Sequence, residues 1–515
     1  MKKHIIILLF GLAGLIYAQV AIPPSLGDGS AENPYQIANL ENLYWIAADT
    51  TNFHYHYIQT ADIDAAETNT WFEGAGWKPI GNQSKAFIGS YNGQTFLIDS
   101  LYISNDDLAG LFGKTTEADL KNISISNGNL SGKFYIGGLA AICESSNIEN
   151  CAYSGINTSP SGYHIGSFEN GGLIGNCISS TITNSCTACE ISGTPDYGGG
   201  LIGKCSSSFL NNCTSTASVI GGYGGGLIGY SQDNTIEECF GNSEVTGVYA
   251  GGLIGSNISG YILKSYSSGR VFNDWGYSGG LTGKNTGTII NCFSSTEVIG
   301  GWSGGLVASD EDHEGSIINS FSYGKVTGEL PGGLISEGWN YGDSLAIVTN
   351  SFWDVETSEV DSSNGGTGLT TAQMKILSTY TDAGWDFVDE TANGTEDIWN
   401  MDGVTNNGYP FLAWMNTTGI EEEDILQPVK FSLFQNYPNP FNPVTTIKFS
   451  IPTDQNVKLS VFNSTGQLVN ELINKKLEKG SHSVQFNADK LNSGIYFYRL
   501  ETEGKRLTNK MLLIR

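Results

Sequence analysis

The chain has 515 residues, 67 of them Gly and only 13 Pro, with 52 acidic against 25 basic side chains and a formal charge of −27. Gly at about twice its ordinary share, with Pro well below its own, excludes both a collagen period and a Pro-rich disordered chain. Charged residues make up only 15% and are mostly acidic, which excludes nucleic acid as a partner because phosphate binding needs a basic face.

In chain order, Lys2 and Lys3 precede an apolar run from Ile5 to Ile16, and Ile16-Tyr17-Ala18 supplies a cleavage site before Gln19. Residues 1–18 therefore read as a secretory signal peptide. The apolar run falls short of the ~20 residues needed to span a bilayer. No later segment is longer, so no transmembrane segment is expected after signal removal. No Cys follows the cleavage site to carry a lipid, and export places the chain where disulfides are permitted.

Residues 19–104 read as an N-terminal cap with irregular first rungs. Within them Leu40, Leu43, Ile46 and Ala47 make one apolar stripe of a helix over Asn39 to Ala48, fit to cover an open solenoid end. Strand-like pieces follow at Tyr57 to Ile63, Phe87 to Tyr91 and Phe96 to Ile103.

Residues 105–355 are periodic. Gly-Gly-Leu, or Ala-Gly-Leu in the first copy, places Leu at 111, 139, 173, 201, 227, 253, 281, 306 and 334. A second signature trails each Leu, as in Ile148-Glu149-Asn150-Cys151 and Ile289-Ile290-Asn291-Cys292, and a third apolar piece closes many copies, as in Glu244-Val245-Thr246-Gly247. These pieces are too short and too rich in Gly, Ser, Thr and Asn for helices, so each repeat is expected to give three strands of a parallel β-solenoid. The Leu column then faces inward, and nine rungs span roughly 40 Å. The Gly pair has two readings, positive φ or close approach of a neighbouring chain segment.

The Gly-Gly-Leu-Ile-Gly copies at 171–175, 199–203, 225–229 and 251–255 resemble GLUG repeats, which occur in bacterial surface and adhesin-like proteins. The resemblance implies binding at a surface and assigns no catalytic residue to the repeat. Some relatives carry a zinc peptidase, but no His-Glu-x-x-His occurs here.

Residues 356–415 read as a C-terminal cap, with a short helix at Thr371 to Ser378 and aromatics at Trp385, Phe387, Trp399, Phe411 and Trp414. A linker follows at 416–428, containing Glu421-Glu422-Glu423-Asp424 and ending at Pro428. Residues 429–515 alternate as about seven short strands and predict a small Ig-like β-sandwich. In this domain Pro438-Asn439-Pro440, the turn at Gly466-Gln467, Ser493-Gly494-Ile495-Tyr496 and a basic end at Lys510 and Arg515 closely resemble the C-terminal sorting domain of type IX secretion. The resemblance implies that the type IX machinery is a partner and that the chain crosses the outer membrane by way of the periplasm. It also implies that the domain is commonly removed and the passenger attached to the surface.

The fold expected is all-β, a parallel β-helix or solenoid of about nine or more rungs with capped ends, followed by the small sandwich. Eight of the nine cysteines are phase-locked to the repeat. Cys143, Cys177 and Cys205 lie four residues after its Leu, Cys151, Cys213 and Cys239 twelve, Cys292 eleven and Cys186 thirteen. They are either buried small hydrophobes or disulfides between neighbouring rungs. Four residues before the Leu stand Tyr135, Tyr197, Tyr223, Tyr249, Tyr277 and Trp302, which form either a packed ladder or a platform for a glycan.

Gly276-Tyr277-Ser278-Gly279-Gly280 and Gly301-Trp302-Ser303-Gly304-Gly305 match a nucleophile elbow only as phases of the repeat. Asp310 to Glu314, with its acids and His313, is where Ca²⁺ carboxylates would be sought. Consecutive acids point in different directions, however, and no metal or other cofactor is called for. His54 and His56 lack further ligands for Zn.

The expected function is therefore secreted or surface binding of a glycan or other surface ligand. A β-helix polysaccharide lyase or hydrolase and a structural stalk are the alternatives. Residues 429–515 hold 12 basic and 6 acidic side chains, so without them and the signal region the delivered part carries −35.

Overall fold

The computed structural model describes residues 19–160, 168–309, 315–336, 347–417, 432–433, 441–451, 455–463, 465–477, 480–489, 491, 493–502 and 506–514. The signal region, Asp310 to Glu314, the acidic linker stretch, Pro438-Asn439-Pro440 and Arg515 lie outside the described residues.

The periodic region is a parallel β-solenoid of about nine turns with three faces. The first face is a column of short strands from Tyr35–Ile37 to Ile347–Thr349, each paired in parallel with the next. Their central residues, such as Ile148, Ile182, Leu210, Ile236 and Ile262, are fully buried. The second face runs from Phe112–Thr116 to Val307–Ser309, with Ile174, Ile202, Ile228 and Ile254 in register. The third face is built of longer strands such as Thr214–Gly225, Phe240–Gly251 and Tyr266–Gly279, which turn Val219, Val245 and Val271 inward. All three faces share one continuous apolar core.

All nine repeat leucines are completely buried, so the inward column expected from periodicity is present. From Leu139 to Leu306 each Leu N–H donates to the carbonyl of the next rung's Leu at 2.8–3.0 Å. The Gly pair before Leu has no positive φ. A Cβ on Gly199, Gly225 or Gly251 would collide with the carbonyl oxygen three residues on, and one on Gly200, Gly226 or Gly252 with the carbonyl of the matching Gly in the next rung. Close approach is therefore the reason for the pair.

Positive φ is used at the corners instead. Ser145, Ser179, Ser207, Asp233 and Ser259 (φ 46–55°) turn the chain from the second face to the first. Asn122, Asn150, Asn184, Asn212, Asn291, Asn319 and Asn350 (φ 47–55°) turn it from the first to the third. Asn tolerates this region better than other residues with a Cβ. Its amides also stack: Asn150 Nδ2 donates to Asn122 Oδ1 at 2.6 Å, and Asn212 Nδ2 to Asn184 Oδ1 at 2.8 Å.

The cysteines are all free thiols, and eight of the nine are buried. Cys143, Cys177 and Cys205 are exact register partners on the second face. Cys151, Cys213 and Cys292 follow the Asn corner and Cys239 the equivalent Glu238, a place that Ser185, Ser265 and Ser320 fill in other rungs, receiving the N–H of Cys151, Cys239 and Cys292 respectively at 3.0–3.1 Å. Burial pushes the thiols of Cys151 and Cys292 up to about 12. Cys186 is one position past its column and is partly exposed.

At the N-terminal end a helix over Leu40–Ala48 is capped by Asn39, whose side chain accepts the Asn42 N–H at 2.9 Å. Its Leu40, Leu43, Ile46 and Ala47 join the solenoid core. The region after the repeats behaves differently. Thr367–Leu369 pairs with Phe352–Asp354 as a last parallel strand, but residues 371–417 fold back along the flank. Trp385 Nε1 donates to the Asn350 carbonyl at 2.9 Å, Trp399 Nε1 to Asn291 Oδ1 at 3.3 Å and Trp414 Nε1 to the Lys264 carbonyl at 2.9 Å. Each contact is at the corner of an earlier rung, so this segment lies along the side of the array, while just before it the Ser362 carbonyl accepts the Gly333 N–H and Ser363 Oγ those of Leu334 and Ile335 at the last repeat.

The C-terminal region has its own core around Phe449, Leu459, Tyr498 and Met511. Its described strands form two small antiparallel sheets, of three and four strands.

Candidate binding face

Two aromatic columns run along the third face. Phe240, Tyr266, Phe293, Phe321 and Phe352 open its strands in successive rungs, with centroids 4.2–5.3 Å apart from Phe240 to Phe321. They are buried beneath Tyr380, Trp385, Trp399 and Tyr409 of the flank segment. The second column is the one marked by phase. Tyr197, Tyr223, Tyr249, Tyr277 and Trp302 are direct register partners and only half-buried. Tyr230 of the second face packs on Tyr197 and Tyr223, with ring centroids 5.1 and 5.7 Å away.

The rings from Tyr223 to Trp302 stack at 4.8–5.1 Å with interplanar angles of 4–17°. Each internal ring face is therefore covered by its neighbours, and what reaches solvent is a row of edges and phenol ends. At the upstream end Tyr197 is tilted, and the Lys204 ammonium lies 5.4 Å from its ring centroid and 6.0 Å from that of Tyr230.

Tyr135, the sixth residue of the phase, does not stack with the others. Glu169 stands between it and Tyr197 in register, and Tyr135 packs instead on Leu108, Ala141 and Ile142. Glu169 is only 3% exposed, its Oε1 lies 3.6 Å from Lys204 Nζ, and its Oε2 has no hydrogen-bond partner. Burial raises its pKa from 4.5 to about 7 against the opposing pull of Lys204. Glu169 holds the aromatic phase, four residues before Leu173, as Asp107 does before Leu111, so its place was readable as an acid in that column, although its burial was not.

Three further basic residues of the array are matched by acids. Lys264 lies 3.1 Å from Glu237, Arg270 3.4 Å from Glu297 and Lys325 2.8 Å from Glu359. Ser278 and Ser303 of the elbow-like phases are fully buried, and Ser303 Oγ donates to backbone carbonyls of Gly300 and Thr327. His56 Nδ1 is 2.8 Å from Ser90 Oγ, and His54 packs on Tyr55.

In the C-terminal region Gly466 turns at φ 81° between Gln455–Asn463 and Leu468–Leu477, donating its N–H to Asn463 at 3.0 Å. Gly494 opens the strand Gly494–Glu501, Tyr496 is buried in the local core, and Lys510 lies opposite Phe497 on the strand Arg506–Leu513.

A parallel β-solenoid with an outward aromatic edge, followed by a separately cored β region, defines the class. Residues 435–514 match the secretion system C-terminal sorting domain. The protein is accordingly a secreted or cell-surface β-solenoid protein whose tail engages the type IX secretion machinery. Among curated proteins the chain is 34% identical to halomucin of Haloquadratum walsbyi over 175 residues, covering 32% of this chain and 2% of that protein. It is 33% identical to a Gly-rich membrane protein of Evansella cellulosilytica over 106 residues, covering 19% of this chain and 12% of that one. The chain thus spans a small fraction of the length of the curated relatives it matches. No helix among the described residues is long and apolar enough to cross a membrane.

Proposed function

We propose that the repeats are GLUG repeats and that the solenoid is an adhesin-like binding protein delivered to the outer cell surface, where it takes a glycan or another surface ligand along the Tyr197–Trp302 column. The observation that carries this reading is the contrast between two chemically similar columns. One is sealed by the chain's own tryptophans, while the other stays half-open over five consecutive rungs. Phenol ends and ring edges at rung spacing suit a repeating polymer better than a compact ligand, since every rung offers the same contact. Replacing Tyr223, Tyr249 and Trp302 together by Ala is expected to abolish glycan-array signals while the circular dichroism of the solenoid persists. Retained signals would remove the column from the binding role.

Glu169 beside Lys204 is the one feature that favours a second reading, cleavage of a polysaccharide. That reading requires new reducing or unsaturated ends to appear on incubation with polymer and to vanish in Glu169→Gln.

A further inference from the structure

We infer that Trp275 forms a stacking subsite for a neutral polysaccharide at the edge of the aromatic column; this rests on the binding function proposed above and specifies its ligand class. The strand Tyr266–Gly279 has 14 residues where Thr214–Gly225 and Phe240–Gly251 have 12. The excess is local. Thr246 pairs with Phe272 and Tyr249 with Tyr277, so two residues on one rung oppose four on the next. On the following rung Asn273 pairs with Gly300 and Tyr277 with Trp302, so the bulge is absorbed on both sides. Bulges of this kind re-aim a side chain out of the ladder, and the side chain lifted here is an indole.

The bulge is held in place. Asn273 Nδ2 donates to the Gly247 carbonyl, and Asn273 Oδ1 accepts the Trp275 N–H at 3.0 Å. A Cβ on Gly276 would strike the Asn273 side chain and the Val248 carbonyl, and one on Gly301 would sit 3.3 Å from the Trp275 backbone. The ring is thus presented on a braced turn between two rungs.

Trp275 is 76% exposed, while all other described tryptophans are buried or intermediate. It makes no ring contact with another described residue, so its faces are available where those inside the column are not. Val248 on the preceding rung is 56% exposed, with Phe272 and Ile220 exposed in the adjoining row. Such a patch beside a row of phenol ends offers a flat apolar surface for the C–H face of a sugar ring and polar groups for its hydroxyls. The charge of −35 on the delivered part repels polyanions at long range. Arg270, the cation over the Phe272 ring, is already paired with Glu297. A neutral polymer is the class that remains.

The test is affinity electrophoresis of the full secreted chain in gels containing hydroxyethyl cellulose, soluble β-1,3-glucan or polygalacturonate, with light scattering run in parallel. Retardation is expected in at least one neutral gel and not in polygalacturonate. Trp275→Ala should weaken the apparent affinity at least about tenfold, the scale of one central aromatic contact, and Trp275→Phe should recover part of it. If Trp275→Ala is retarded like the parent while the Tyr223, Tyr249 and Trp302 triple variant is not, the subsite is overturned and the column reading stands. Absence of retardation in every gel overturns both. Retardation only in polygalacturonate, or a self-association that Trp275→Ala abolishes without any gel effect, overturns the neutral-polysaccharide assignment.

Discussion

At the scale of single residues the column of half-buried rings is interrupted by a carboxyl that water hardly reaches. A buried acid with a raised pKa stabilises the fold most when protonated. Its contribution is complete below the unfolded value of 4.5 and is lost as the pH rises through about 7. Glu169→Gln keeps the neutral shape at every pH. The stability of the parent relative to this variant is therefore expected to fall by on the order of 3 kcal/mol between pH 4.5 and 8. Urea melts across that window check it, and parallel curves for the two proteins would show that Glu169 is not buried as described. The identity of the inward leucines and of the aromatic phase was legible in the sequence because a wound chain repeats its neighbours at every turn. Trp275 was not, because an insertion of two residues breaks the phase by which positions were being compared.

At the scale of elements the Gly-Gly-Leu step and the Asn corner divide the conformational work. Glycine is needed where two backbones come too close for a Cβ, and asparagine where φ turns positive. Sequence reasoning left both explanations open for glycine, since a residue without a side chain satisfies either; the corner asparagines were visible in most copies, with Glu238 and Lys264 in two others, but carried no assigned task. Gly226→Ala puts a methyl group against the Gly252 carbonyl in the middle of the array. It is expected to cost at least about 1–3 kcal/mol, read as a lowered denaturation midpoint. Asn212→Gly, at a corner that glycine accepts, should cost less than Asn212→Val, which meets the left-handed penalty of about 1–2 kcal/mol. Equal melting of the two corner variants would contradict the φ of 51° at Asn212.

At the scale of the molecule, the segment 371–417 changes how the solenoid holds together. A plain repeat array is stabilised by contacts between adjacent rungs alone, whereas Trp385, Trp399 and Trp414 tie corners at 350, 291 and 264 into one unit. The spacing of these tryptophans was readable, but their placement was not. Nothing local distinguishes an aromatic that covers an open end from one that covers a flank. Replacing Trp385 and Trp399 by Ala is expected to free the segment, with faster proteolysis between 371 and 417 and greater binding of a hydrophobic dye to the Phe240–Phe352 column. The solenoid's far-ultraviolet signal should persist. Unchanged proteolysis would mean that the segment is held elsewhere.

That arrangement also sets the order in which the molecule yields to force. The connection to the sorting region leaves from the end of the flank segment, so tension applied through the C-terminal residues reaches the indole ties before it reaches any rung. The ties lie along three separate corners and would release one after another, from 264 toward 350, lengthening the molecule in steps while the coils behind them stay wound. The folded-back segment thus lies in series between the C-terminal connection and the coils.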